Sequence, residues 1–349
     1  MTARGVGSAL AALAVALFSF AAAAQSRFTD DGGRTVSLPA QVARVMPAGP
    51  PASVDLLLLA PQRLIGLTRA LSPAQAAYLP AADGRLPAVG RLTGRGETLD
   101  LGPVTKAAPD LVVDLGDVND RFVALANRVQ QQTGIPYVLI GGHLADTPAT
   151  LRKLGTVLGA STRAEALARY AEATLSQVTN RIAEVPAERR PTIYLAQGPR
   201  GLETEIDRSI STETVELAGA RNVAAAAPAQ GGRFAEVSLA QLRAWQPDII
   251  IALDPAFYRA VWHDPSWQQL KAVRAKHVYL APALPFGWVD EPPAANRLIG
   301  LRWLAKLLYP ARFPEDLRAE TRRFYALFYR QEPSDAQLDA LLAGAMPPS

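Results

Sequence analysis

The 349-residue sequence contains no cysteine. That excludes disulfides, thiolate metal sites, thiol nucleophiles and a lipid anchor on an N-terminal cysteine. Histidine is nearly as scarce. His143, His263 and His277 stand far apart, without the spacing of a metal site, and each reads as structural. There is no Gly-x-Ser-x-Gly elbow, no zinc-hydrolase motif and no nucleotide P-loop. No catalytic residue, resident metal or cofactor is therefore assigned. The 36 basic and 32 acidic residues give a net charge of +4 without a basic run of the kind a nucleic-acid face needs. A weak attraction for anionic ligands is the most this charge supports. At 49% hydrophobic and 19% charged, the composition is that of a globular protein with a sizeable core.

The N-terminus has the layout of a secretory signal peptide. Arg4 is followed by an apolar stretch from Ala9 to Phe20 and then by Ala22-Ala23-Ala24. Cleavage is expected after Ala24, and the rest of the chain has no further apolar segment long enough to span a bilayer. The expectation is a periplasmic protein, released from its leader and not anchored by lipid.

The remainder repeats one grammar, a short strand followed by a helix, in two halves. Residues 41–46, 63–67, 109–113 and 134–140 read as strands of the first half; residues 192–196, 247–252 and 276–280 read as strands of the second. Short apolar runs bounded by Gly and Pro and alternating with helices predict parallel sheets wrapped by helices. The phrases Ala108-Pro109-Asp110-Leu111-Val112 and Gln246-Pro247-Asp248-Ile249-Ile250 are near copies. Each halts a helix before proline and launches a buried strand. Between the halves, residues 162–185 carry Leu167, Tyr170, Ala171, Leu175, Val178 and Ile182 at helical spacing. Thr162 and Glu165 suggest a capping box there. A helix of that length measures on the order of 35 Å, enough to bridge two small lobes. The domains expected are a signal peptide (1–24), an N-terminal lobe (25–160), a linker helix (161–186), a C-terminal lobe (187–310), and C-terminal helices with a tail (311–349) that pack on a lobe.

These pieces resemble the class III periplasmic substrate-binding proteins, which serve importers of iron–siderophore complexes, haem and cobalamin. The resemblance covers roughly residues 28 to 310. It rests on Asp31-Gly32-Gly33-Arg34-Thr35-Val36-Ser37-Leu38-Pro39 and on the two Pro-Asp phrases. It rests further on Pro285-Phe286-Gly287-Trp288 followed by Asn296-Arg297-Leu298-Ile299-Gly300-Leu301-Arg302-Trp303. It implies an α/β fold of two lobes with central parallel sheets, joined by one long rigid helix, with a ligand cleft between the lobes. It also implies an ABC permease partner driven by a cytoplasmic ATPase. Permease docking in the resembled family uses one Glu per lobe shortly before each Pro-Asp phrase. Here those places hold Gly102 and Ala240, and Glu97, Asp100 and Glu236 stand near them as substitutes.

Ligand contacts are sought where strands end. Arg91, Thr93 and Arg95 lie in a glycine-rich loop whose backbone can approach a ligand and whose arginines suit carboxylate or phosphate oxygens; the alternative is a solvated turn. Pro51 stands at a helix start, a place favourable to anions but also simply to proline. Arg200 faces cleft or solvent, and Tyr258, with Trp262, lines the cleft or belongs to the core. Phe286 and Trp288 flank a glycine among prolines, and Trp288 offers a flat surface for a planar ligand. The expected function is capture of a ferric siderophore or similar metal chelate by a monomer that does not bind nucleic acid. Haem, cobalamin or a metal oxyanion such as molybdate are the alternatives; a ligand sensor and a secreted hydrolase are the rival functions.

Overall fold

A computed structural model describes residues 26–93, 101–206, 209–227 and 234–347; the expected leader lies outside these residues. The described residues open with an antiparallel hairpin, β1 (Ser26–Thr29) against β2 (Thr35–Leu38). Asp30 holds its Asp-Gly-Gly-Arg turn. The Asp30 carboxylate accepts the N–H groups of Gly32 and Arg34 at 3.1 and 3.0 Å, and the Arg34 guanidinium lies 2.8 Å away. The same carboxylate accepts the Leu139 N–H at 3.1 Å, and Asp31 accepts the Gly141 N–H at 2.8 Å. The motif thus fastens the hairpin to the edge of a parallel sheet. That sheet contains β3 (Val45–Pro47), β4 (Leu111–Gly116) and β5 (Tyr137–Gly141) in the order β3-β4-β5, extended by parallel bridges at Leu64 and Leu67.

The second lobe follows with β6 (Thr192–Ala196), β7 (Glu203–Glu205), β8 (Arg221–Asn222), β9 (Phe234–Glu236), β10 (Ile249–Ala252) and β11 (Val278–Leu280). Four of them form a parallel sheet ordered β11-β10-β6-β8, while β7 and β9 pair antiparallel. The fold is α/β, with parallel sheets flanked by helices in two lobes. The two Pro-Asp phrases do the same work in each lobe. Ala108 and Gln246 end their helices with left-handed φ of 42° and 45°. The aspartate then pins the neighbouring strand. Asp110 accepts the N–H groups of Ala43 and Arg44 at 2.9 and 2.8 Å; Asp248 accepts the Thr192 N–H and hydroxyl at 2.7 and 2.6 Å.

The helix between the lobes spans Ser161–Ile182, about 33 Å at 1.5 Å per residue. It buries Leu167, Tyr170, Ala171 and Val178 along one stripe, as its periodicity predicts. Its expected capping box is not formed. No side chain caps the helix start, and Glu165 is drawn instead to Arg152 at 2.7 Å and Arg169 at 3.0 Å. Gly155 lets the preceding helix, Thr147–Val157, lie against it, since a Cβ there would collide with Ala164.

The C-terminal segment crosses both lobes. On the N-terminal side, Phe324 and Phe328 pack on Tyr170 with ring centroids 5.8 and 5.3 Å away. There too Arg330 reaches Asp83 at 2.6 Å and the Leu58 carbonyl at 3.0 Å. On the other side the Leu280 N–H donates to the Gly344 carbonyl at 2.9 Å. One apolar core consequently runs from the first lobe through the long helix and the C-terminal helices into the second lobe. Trp288 lies in it with 0% exposure, its indole N–H donating to Tyr325 at 3.2 Å. Asp55, on the helix Pro50–Leu59, accepts the Ala295 N–H at 3.0 Å. Burial pushes its carboxyl up to about 6 against the pull of that hydrogen bond and of Arg297.

Two outcomes follow from this packing. Trp288→Ala should lower unfolding stability in urea by about 3–5 kcal/mol, because it empties a filled aromatic site. For Asp55, a folded-state pKa above the ordinary 3.8 means that the folded chain takes a proton first. Its stability contribution is present at low pH and is lost as pH rises through 6. Between pH 7 and pH 5 the natural chain should gain about 1 kcal/mol more than Asp55→Asn, which parallel urea titrations at the two pH values will measure.

Candidate functional site

The N-terminal lobe presents its strand ends together. After β3 the chain reaches Gly49 and enters the helix Pro50–Leu59, with Pro50 and Pro51 in its first turn. The Leu92 and Thr93 N–H groups both donate to the Ala48 carbonyl, at 2.7 and 3.0 Å. The glycine-rich loop and the helix start predicted from sequence are therefore neighbours. Gly49 is required at this contact, since a Cβ would collide with the Thr93 hydroxyl. Arg91 is exposed and Pro51 half-buried. Thr93 is buried and donates to Asp114 Oδ1 at 2.9 Å, while Tyr137 donates to Asp114 Oδ2 at 3.0 Å. Burial pushes the Asp114 carboxyl up to about 6 and the two hydroxyl donors pull it back; the Tyr137 phenol is held well above its ordinary value. Arg95, Glu97 and Asp100 lie outside the described residues.

In the second lobe two of the expected contacts, Phe286 and Trp288, prove to be buried. Trp288 is in the core against Trp303, 6.4 Å between centroids, and Phe286 is buried against Tyr329 at 6.1 Å. Neither forms a wall open to a ligand, because the loop that carries them turns inward onto the C-terminal helices. Tyr258 is half-buried, edge-on to Trp262 at 5.9 Å, with its hydroxyl against Gly344 of the tail. Arg200 is 70% exposed and pairs with Glu236 at 2.6 Å. That brings together a residue expected at the ligand and one expected at the permease, in an exposed pair of small intrinsic strength.

Sequence reasoning missed the residues at the lobe junction. Past β5, Gly142, His143 and Leu144 meet the segment around Ile210 and Glu213 of the second lobe. His143 Nδ1 lies 2.5 Å from Glu213 Oε1, and the Leu144 N–H donates to Glu213 Oε2 at 2.6 Å. Arg297 completes the contact from within, 1% exposed. It donates to the Gly142 carbonyl at 2.6 Å, to the Ile210 carbonyl, and to Glu213 at 3.1 Å. Burial lowers the Arg297 pKa, opposed by Glu213, Asp290 and Asp55. An open polar pocket of about 380 Å³ adjoins this junction, lined in part by Asp31, Gly116, Gly141, His143, Asp146 and Lys153. Two of its lining side chains are already paired, Lys153 with Asp31 and His143 with Glu213. The Asn296-Arg297 step of the motif was the available signal, but nothing in its local pattern marked Arg297 as buried. Among the described residues, no group of three or more His, Cys, Asp or Glu is arranged to hold a metal ion, and no helix is long and apolar enough to cross a membrane.

The geometry has counterparts among known proteins. Residues 64–284 match the family model described as periplasmic binding protein. A molybdate-binding protein, MolA, of Haemophilus influenzae is 30% identical over 237 residues, spanning 65% of this chain and 66% of that one, so the matched region falls just short of two thirds of that relative's length. Among solved structures, an ABC transporter solute-binding protein from Sulfurospirillum deleyianum is 30% identical. It superposes with a TM-score of 0.83, covering 91% of this chain and 99% of that one. The molybdate-bound MolA structure superposes with a TM-score of 0.71 at 23% identity over 88% of this chain and 99% of that one, a likeness of fold. With the match spanning most of both lobes and the linker helix, the chain belongs to the periplasmic binding protein family.

Proposed function

We propose that this chain is the periplasmic solute-binding component of an ABC importer, and that its ligand is a small tetrahedral oxyanion of the molybdate kind. In this reading residues 1–24 direct export, and the mature monomer binds without turnover. The filled site docks on a permease driven by a cytoplasmic ATPase. The observation that carries the ligand class is the Gly49 seat. A helix start, whose dipole favours anions and whose first turn keeps the Gly49 and Ala52 N–H groups although Pro50 and Pro51 have none, adjoins the loop that carries the exposed Arg91. The molybdate-binding relative agrees with it. Burial of Phe286 and Trp288 removes the aromatic wall on which a planar chelate would lie. Glu97, Asp100 and Glu236 are the docking carboxylates in this reading. Glu236 would exchange Arg200 for a permease arginine, at small cost because the pair is exposed.

A ferric siderophore, haem or cobalamin is the second reading. It is favoured by the half-buried Tyr258 and Trp262 pair at the end of β10, the aromatic surface such a ligand would use. Isothermal titration of residues 25–349 with molybdate, tungstate, sulfate, a ferric hydroxamate and haem separates the two. The oxyanion reading expects one molybdate per chain, and Arg91→Ala should weaken it about tenfold, or about 1.4 kcal/mol. Gly49→Ala, which displaces the Thr93 hydroxyl, should weaken it further. Binding of a chelate with no response to molybdate would replace the first reading by the second.

A further inference from the structure

The Asn296-Arg297 motif has no part in the ligand seat, yet its arginine is among the most completely buried large side chains of the molecule. A guanidinium has five N–H donors and is tolerable out of water only when acceptors surround it. Arg297 obtains them from both lobes. Nη2 donates to the Gly142 carbonyl, just past β5 of the first lobe, at 2.6 Å. Nη1 donates to the Ile210 carbonyl of the second lobe and to Glu213 at 3.1 Å, and Nε to the Ala294 carbonyl at 3.3 Å. Glu213 closes the ring from the opposite direction, accepting the Leu144 N–H at 2.6 Å and meeting His143 at 2.5 Å. The backbone approach is tight as well, for a Cβ on Gly142 would lie 2.9 Å from the Gly116 Cα. The Gly142 carbonyl is thereby held where strand ends β4 and β5 meet the second lobe.

We propose that Arg297 and Glu213 form a latch that fixes the angle between the lobes, so that a ligand meets walls already held at the bound separation. Swinging the lobes apart would strip Arg297 Nη2 of the Gly142 carbonyl and Glu213 of the Leu144 N–H and of His143, the contacts that cross the junction, while the Ile210, Ala294 and Glu213 contacts of Arg297 stay within the second lobe. Both residues are positioning residues. They act through the backbone of Gly142, Leu144 and Ile210.

The absence of cysteine makes the test clean. Cysteines introduced at the exposed positions Gln131 and Ala244, one on each lobe, carry spin labels whose separation is read by pulsed dipolar spectroscopy in the full mature chain. The labelled parent should give a narrow distance distribution. Glu213→Gln, which keeps the shape and removes the charge, and Arg297→Lys, which keeps the charge and removes the fork, should each at least double its width with helix content by circular dichroism unchanged. Distributions that superpose on the parent's would overturn the latch. Should Arg297→Lys not fold, Glu213→Gln decides alone. The affinity arm rests on the oxyanion reading: if only about a tenth of the loosened chains hold the competent angle, the molybdate Kd rises about tenfold. A broadened distribution in a protein whose parent ignores molybdate would uphold the latch and reject that ligand class.

Discussion

Arg297 is out of water, and the groups that make this tolerable come from separate stretches of the chain: Gly142 in the first lobe, and Ile210, Glu213 and Ala294 beyond the long helix. Such a charge is stable only while all of them are in place, so it ties the register of one lobe to that of the other. The apolar packing around it has the same character. Tyr170 of the long helix, Phe324 and Phe328 of the C-terminal helices, Leu57 and Leu58 of the first lobe and Trp288 of the second belong to one core. The lobes are distinct in topology, each with its own parallel sheet, but not in their interior. The C-terminal helices cross the boundary and close it.

This arrangement shapes what the strand ends can do. Gly49, the Leu92–Thr93 backbone and the first turn of the helix Pro50–Leu59 are held by short hydrogen bonds, with Asp114 beneath the Thr93 hydroxyl and Tyr137 beneath Asp114. In the proposed seat a buried carboxylate with both oxygens hydrogen-bonded backs groups that are already ordered, and preordered groups bind without the entropy loss of mobile ones. In the proposed seat Arg91 is the exposed charge.

Much of the architecture was legible in the sequence because it is written in local chemistry. Proline after a left-handed residue stops a helix wherever it occurs, and the two Pro-Asp phrases were recognisable for that reason; that their aspartates clamp Ala43, Arg44 and Thr192 is the tertiary half of the same device. The long helix followed from its apolar spacing. Side-chain direction was less legible. Trp288, among prolines and glycine, has the composition of an exposed loop, and only the arrival of Tyr325 and Trp303 from later in the chain makes it core. Glu165 has cap spacing, but Arg152 from the preceding helix outbids the backbone for it. Arg297 could not be read as buried, because its acceptors lie 155 and 87 residues away. The Arg91–Thr93 loop and Pro51 were named separately from sequence, and the fold brings the loop's backbone onto the Ala48 carbonyl just before that helix start.

The central claim is that the two lobes form one cooperative body around a fixed ligand seat. Differential scanning calorimetry of the mature chain, with and without saturating molybdate, tests it most directly. The account predicts a single transition with equal calorimetric and van't Hoff enthalpies, displaced upward as a whole when ligand is present. Two separable transitions, of which ligand moves only one, would contradict it.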